Sequence, residues 1–253
     1  MSSSTGSARN STDGGPPRFP ATRHSLIEAL GAVDPERRRP AFDLLVASYW
    51  RPVYRYLRAI RRMNREDAED LAQDFFVRAL EKDTLASFDP AKARFRTFLR
   101  VCLDRFGANW HEAQGRQKRG GHLRAVPIDP AFETRADAGA VAADPDQFFR
   151  REWIRSLFEG ALADVTAEYE SRGKQVQFAV FLAYDIEPPD DGRRPKYAEL
   201  ARRFEVPETQ ITNYLAAARR AFRRAALARL RAVTAADADF EAEARDLFGV
   251  TNG

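Results

Sequence analysis

Apolar positions recur along this chain at steps of three and four, the period of an amphipathic helix. The first stripe runs Phe42, Leu45, Val46, Tyr49, Val53, Leu57 and Ile60. Pro52 falls inside it, where a missing N–H and a ring clash predict a kink or a break. Asn64 stands as the N-cap of a second helix, with Glu66 and Asp67 in the first turn, where negative charge suits the helix dipole. Its stripe is Ala68, Leu71, Ala72, Phe75, Phe76, Ala79 and Leu80. After a loop around Ser87, Asp89 and Pro90, a third stripe follows: Phe95, Phe98, Leu99, Cys102, Leu103, Phe106 and Trp110. It ends in the basic run Arg116, Lys118 and Arg119, and Gly120 and Gly121 stop it.

Residues 121–143 show no sustained period and contain Pro127 and Pro130, so they read as a linker. Asp144 then caps a helix carrying Phe149, Trp153, Leu157, Ala161, Leu162 and Val165, and Phe178, Phe181 and Leu182 continue the pattern. Pro188, Pro189, Asp190, Asp191 and Gly192 form a tight exposed turn. Two short stripes follow, Tyr197, Leu200, Ala201 and Phe204, then Ile211, Leu215, Ala218 and Phe222, with Pro207 at a favoured first helical position. Helix, short turn and longer basic helix is the helix-turn-helix pattern, whose second helix enters the major groove of DNA.

No segment has the period of a strand, and there is no internal repeat. The expected fold is therefore all-α, with two small helical domains at residues 23–120 and 144–233 joined by the linker 121–143. A low-complexity N-terminal tail, 1–22, and an acidic C-terminal tail, 234–253, flank them. Phe240, Leu247 and Phe248 could form one apolar face of a short acidic helix that folds back on a basic DNA-binding surface. The simpler expectation for that segment is a tail.

Charge sharpens this picture. The formal net charge is only +4, but it is unevenly spread. Residues 91–124 carry net +7 and residues 193–231 net +8, while the stretch between them carries net −8 and the segment from Ala232 onward net −4. Two basic blocks, each inside a helical unit, fit two contacts on one polyanion. A single cysteine rules out a disulfide framework and a cysteine-built zinc site. No apolar run reaches the roughly 18–20 residues of a membrane helix, and residues 1–20 lack a signal-peptide core, so a cytoplasmic protein without membrane insertion is expected.

Catalytic chemistry finds little support. His24, His111 and His122 lie at no metal-ligand spacing, Cys102 sits on an apolar stripe, and Gly115 to Gly121 lacks the spacing of a phosphate-binding loop. Asp190 and Asp191 belong to a solvated turn. No enzyme, metal or cofactor is expected.

The stretch Asp67-Ala-Glu-Asp-Leu-Ala-Gln-Asp-Phe-Phe-Val-Arg-Ala-Leu80 resembles the most recognisable segment of the extracytoplasmic-function (ECF) sigma factors, in the sigma-70 family of bacterial RNA polymerase subunits. Tyr49 to Tyr56 resembles the helix before it, and Phe95-Arg-Thr-Phe-Leu99 the entry to the family's promoter-melting helix. Asp144-Pro-Asp, Arg151 and Glu152 resemble the lead helix of its C-terminal domain, and Tyr197-Ala-Glu-Leu-Ala201 through Arg219 its helix-turn-helix. The resemblance implies a region 2-like bundle and a region 4-like helix-turn-helix domain. It also implies that Asp67, Asp70, Leu71, Gln73 and Asp74 dock on the β′ clamp of core RNA polymerase, with the β flap as a second contact. Independently of it, Asp67, Asp70, Gln73 and Asp74 share one helix face, which is acidic in a basic protein and suits a basic protein surface better than DNA.

Family members capture unstacked bases of the −10 element. Here Lys92, Arg94, Arg96, Arg100, Arg105, Arg116, Lys118 and Arg119 could meet phosphates, Asn109 could read a base edge and Trp110 could stack. For the −35 duplex, Glu208, Thr209, Gln210, Thr212 and Asn213 would face bases, and Arg219, Arg220 and Arg223, with Arg224 beyond, would face phosphates. The sequence departs from the family where Glu205 replaces the glycine of the helix-turn-helix turn, which points to a different turn, and where Ala217 replaces an arginine.

The expected function is a sigma factor that binds core polymerase and directs promoter-specific initiation without covalent chemistry, its partners being core polymerase, promoter DNA and, as the resemblance allows, an anti-sigma factor. The main alternative is a helix-turn-helix regulator that does not engage polymerase, and the acidic face at Asp67 to Asp74 discriminates against it. A nucleic-acid enzyme would need a carboxylate cluster for a divalent metal.

Overall fold

A computed structural model describes residues 26–81, 84–89, 91–114, 144–187, 193–234 and 237–249. The N-terminal tail, the linker, the turn at Pro188 to Gly192, and Arg116, Lys118 and Arg119 lie outside the described residues. The chain is all-α: the described residues form nine α-helices and no strand. These are α1 (Leu26–Leu30), α2 (Pro35–Ala59), α3 (Arg65–Glu81), α4 (Phe95–Gln114), α5 (Pro145–Ser171), α6 (Gln175–Phe181), α7 (Tyr197–Arg203), α8 (Glu208–Val233) and α9 (Asp237–Phe248).

The caps explain where helices begin. The Asp34 carboxylate accepts the Glu36 N–H at 3.1 Å, ahead of Pro35 in the first turn of α2. Asn64 and Asp67 bond reciprocally at the start of α3, N–H to Oδ1 and Nδ2 to Oδ2, each at 2.8 Å. Asp144 accepts the Asp146 N–H at 2.9 Å and opens α5.

Of the kink or break expected at Pro52, the break does not occur; α2 runs through it to Ala59. The physical reason is burial on both sides. Leu45, Tyr49, Val53, Tyr54, Tyr56 and Leu57 are all within 2% of complete burial. Each such side chain contributes roughly 1.5–3 kcal/mol, against about 3 kcal/mol for one interior proline.

Helices α1 to α4 enclose the first core, in which Leu71, Leu99 and Leu103 pack with an aromatic cluster. Phe95 meets Tyr49 edge-on at 5.6 Å and Phe88 at 5.2 Å. The second core gathers Phe178, Phe181, Leu200, Ile211, Leu215 and Ala218 from α6, α7 and α8. Helix α5 serves both: Phe148, Phe149, Trp153 and Leu157 enter the first core, Val165 and Tyr169 the second. Helix α8 likewise returns Leu230 and Val233 to the first. The two sets of helices therefore share two long struts. At Gly160 the struts come close, since a Cβ there would lie 2.7 Å from Cζ of Arg229, which crosses α5 to bond Asp164 through Nε and Nη2 at 2.5 and 2.7 Å.

The C-terminal segment is not a simple tail. Residues 237–248 form α9, which docks on the first core through buried Ala244 and half-buried Phe240 and Leu247. Burial of that apolar face, joined by ion pairs to Arg94 and Arg96, is what an expectation of a simple tail leaves out.

The turn between α7 and α8 places Glu205 at φ +54°, the left-handed conformation that glycine adopts without cost. Val206 N–H then bonds the Ala201 carbonyl at 3.0 Å and reverses the chain. The departure from glycine at this position thus keeps a left-handed residue at the turn. Such a residue costs about 1–2 kcal/mol. Glu205→Gly is expected to stabilise the chain, by less than that cost because glycine also loosens the unfolded state. Urea denaturation would show a raised midpoint at unchanged slope.

Candidate functional site

Three surfaces carry the candidate residues. On α3, Asp70 and Asp74 are exposed, while Asp67 and Gln73 are half-buried beside them. Partial burial, together with the carboxylates of Asp74, Asp67, Glu69 and Glu66, pushes the Asp70 carboxyl above its ordinary pKa. Asp70 therefore ionises less easily than a free carboxylate, and a basic partner would ease that. Leu71 does not join it. It is fully buried in the same core as Ala68, Ala72 and Phe75, because its place in the apolar stripe decides its direction. Its expected contact with polymerase is corrected to a core role.

The second surface is the start of α4 with the loop before it. Lys92 is exposed and pairs with Asp89 at 3.3 Å. Arg94 is partly exposed and pairs with Glu243 at 3.0 Å and Asp246 at 2.8 Å. Arg96 is buried, lies over the Trp153 ring at 5.3 Å and pairs with Glu243. Burial pushes its guanidinium down to about 10, with repulsion from Arg94 adding to the effect, so it stays charged at neutral pH. Arg100 is held by Asp104 and Asp146, each at 2.5 Å, and Asp104 also accepts from the Tyr56 hydroxyl at 2.9 Å.

Further along α4, Arg105 and Asn109 are exposed. Trp110 is not available for stacking on a base. It is 7% exposed, and its indole N–H donates to Asp74 Oδ2 at 3.2 Å. A large aromatic on the apolar stripe is claimed by the core, and its polar edge is spent on α3. Cys102 is half-buried against the same core, and burial raises its thiol pKa.

The third surface is α8. Glu208, Thr209, Thr212 and Asn213 are exposed at its N-terminal end, and Gln210 is half-buried, accepting from the Tyr214 hydroxyl. Arg219, Arg220 and Arg223 are exposed. Arg219 grips Asp185 through two bonds, at 2.8 and 3.0 Å, and lies over Tyr184. Arg223 lies over the Phe248 ring at 5.8 Å. Glu199 on α7 accepts the Lys196 N–H at 2.8 Å, which fixes the start of the short helix ahead of the turn.

The structure also adds residues that the sequence did not single out. Arg150 on α5 lies 3.7 Å from Asp246, so it joins Arg94 and Arg96 around α9. One signal could have exposed this: Glu243 interrupts the apolar spacing of Phe240, Ala244 and Leu247. No helix among the described residues is long and apolar enough to cross a membrane, and among them no group of three His, Cys, Asp or Glu is arranged to hold a metal.

With this geometry in place, residues 45–117 match the family model described as Sigma-70 region 2. The matched stretch runs from the middle of α2 through α3 and α4, under a third of the chain, and contains both the acidic face and the Arg94–Arg96 entrance. This stretch is thus similar to region 2 of sigma-70 factors. No curated protein and no solved structure matches the chain.

Proposed function

We propose that the chain is a promoter-specificity subunit of RNA polymerase, of the ECF type, that does no covalent chemistry. The observation that carries this reading is the acidic face of α3, with Asp70 and Asp74 exposed, inside the segment that matches Sigma-70 region 2. Asp67, Asp70, Gln73 and Asp74 dock on the β′ clamp, with the β flap as second contact. A regulator that only binds DNA gains nothing from four acidic or amide groups on one face, since DNA repels them.

The loop before α4 and its first three turns contact the non-template strand at the −10 element through Lys92, Arg94, Arg100 and Arg105, and through Arg96 once its pairing with Glu243 opens, with Asn109 on a base edge. The exposed N-terminal end of α8 enters the −35 major groove, and Arg219, Arg220 and Arg223 hold its phosphates. The helix-turn-helix of α7 and α8 supports this, because its core residues Leu200, Ile211 and Leu215 leave the polar residues of α8 outward. Binding energy on unpaired bases offsets the cost of unpairing, so initiation is driven by preference for the melted strand.

Run-off transcription tests this. Core polymerase plus the chain, given a library of genomic fragments, is expected to start at sites that share one pair of upstream motifs. Fragments bound by the chain but never transcribed would instead establish a DNA-binding regulator that does not engage polymerase.

A further inference from the structure

Three guanidinium groups gather where α4 begins: Arg94, Arg96 and, from α5, Arg150. Helix α9 lies across them. Glu243 is 2% exposed and pairs with both Arg94 and Arg96. Asp246 pairs with Arg94 and reaches Arg150. Asp239 accepts a hydrogen bond from the Phe95 N–H, in the first turn of α4. A helix docked for packing alone would carry an apolar residue at 243, between Phe240, Ala244 and Leu247. A carboxylate buried there is costly unless it is paired, so Glu243 is matched to the guanidiniums beneath it.

Paired guanidiniums and a helix N-terminal N–H are the groups that hold a phosphodiester backbone. The apolar anchoring of α9 is light, so its polar pairs carry much of the docking. Its apolar residues other than Ala244 are half-buried or exposed, and a helix of 12 residues is marginal once undocked. An open groove runs between Ala91 to Arg94 and the first turns of α9, with exposed Lys92 at its edge. It gives a polyanion a place to begin.

We propose that α9 is a polyanion mimic held in cis: it occupies the cation surface of Arg94, Arg96 and Arg150, and the backbone of single-stranded DNA takes that surface by displacing it. This rests on the reading of the α4 entrance as a DNA contact. It adds that the resting chain is closed to that DNA by its own C-terminal helix.

The test uses full-length chain and oligothymidine as the probe. Glu243→Gln with Asp246→Asn removes two charges and keeps the helix. That variant is expected to bind about tenfold tighter than wild type, because less of the open state must be won from α9. Adding Arg94→Gln and Arg96→Gln is expected to abolish the gain. In wild type, hydrogen exchange should show α9 amides losing protection when oligothymidine saturates the chain, while α2 amides keep theirs. Equal affinities, oligothymidine bound with α9 still protected, or no binding by any form would each overturn the proposal. Core polymerase binding is measured separately on the same proteins. Displacement of α9 without polymerase binding keeps this inference and removes the sigma reading, and polymerase binding with α9 fixed in place against oligothymidine does the reverse.

Discussion

Replacing Glu152 with alanine is expected to destabilise the folded chain by about 3–5 kcal/mol. Glu152 on α5 pairs with Arg55 on α2 at 2.9 Å, with side-chain exposures of 8% and 6%. Arg155 approaches the same carboxylate at 3.5 Å. Burial already pushes the Arg55 guanidinium below its ordinary pKa, and Glu152 is the group that opposes this. Without it a buried cation loses its counter-charge at the seam between α2 and α5, where Tyr56 meets Phe149 edge-on at 5.8 Å. Urea denaturation followed by helix signal measures the loss. Arg55→Met with Glu152→Met should recover most of it, because an apolar pair of similar volume needs no compensation. A loss below about 1 kcal/mol for Glu152→Ala, the level of an exposed pair, would show that α5 does not bury this pair against α2.

Much of the fold was legible in the sequence because its signals are local. Asn64 and Asp144 cap helices as their side chains suggest, and the stripes through Leu71, Leu99 and Ile211 are the buried ones. What was not legible depends on partners distant in the chain. Pro52 sits inside an unbroken helix because both flanks are buried by elements far away in sequence. Glu205 adopts a glycine-like conformation because the turn demands it, at a local cost that composition does not reveal. The acidic C-terminal segment became a docked helix because Arg94 and Arg96 face it across some 150 residues of chain, as the Arg94–Asp246 contact shows with a separation of 152. Leu71 and Trp110 illustrate a different limit. Spacing placed them on apolar stripes and family resemblance placed them at surfaces, and in the structure the stripe decides.

The second large effect concerns the α3 face. Asp70 lies one turn from both Glu66 and Asp74, and like-charge pairs at that spacing cost about 0.2–0.5 kcal/mol each. Its raised pKa means that ionisation works against the folded state, so this group's effect on stability improves as pH falls through the carboxylate range. Asp70→Asn should therefore slightly stabilise the isolated chain at neutral pH while weakening its hold on a basic partner. A residue kept for stability would show the opposite. Asp70→Arg with Asp74→Arg goes further, setting like charge against like at an interface, which costs several kcal/mol, or about a hundredfold or more in affinity.

Co-purification of the full-length chain with core RNA polymerase, wild type beside Asp70→Arg plus Asp74→Arg, tests the central claim most directly. The account predicts a stable complex for wild type and none for the double variant, with equal helix content in the two free proteins. A double variant that binds core polymerase as well as wild type, or a wild type that does not bind it, would contradict the account.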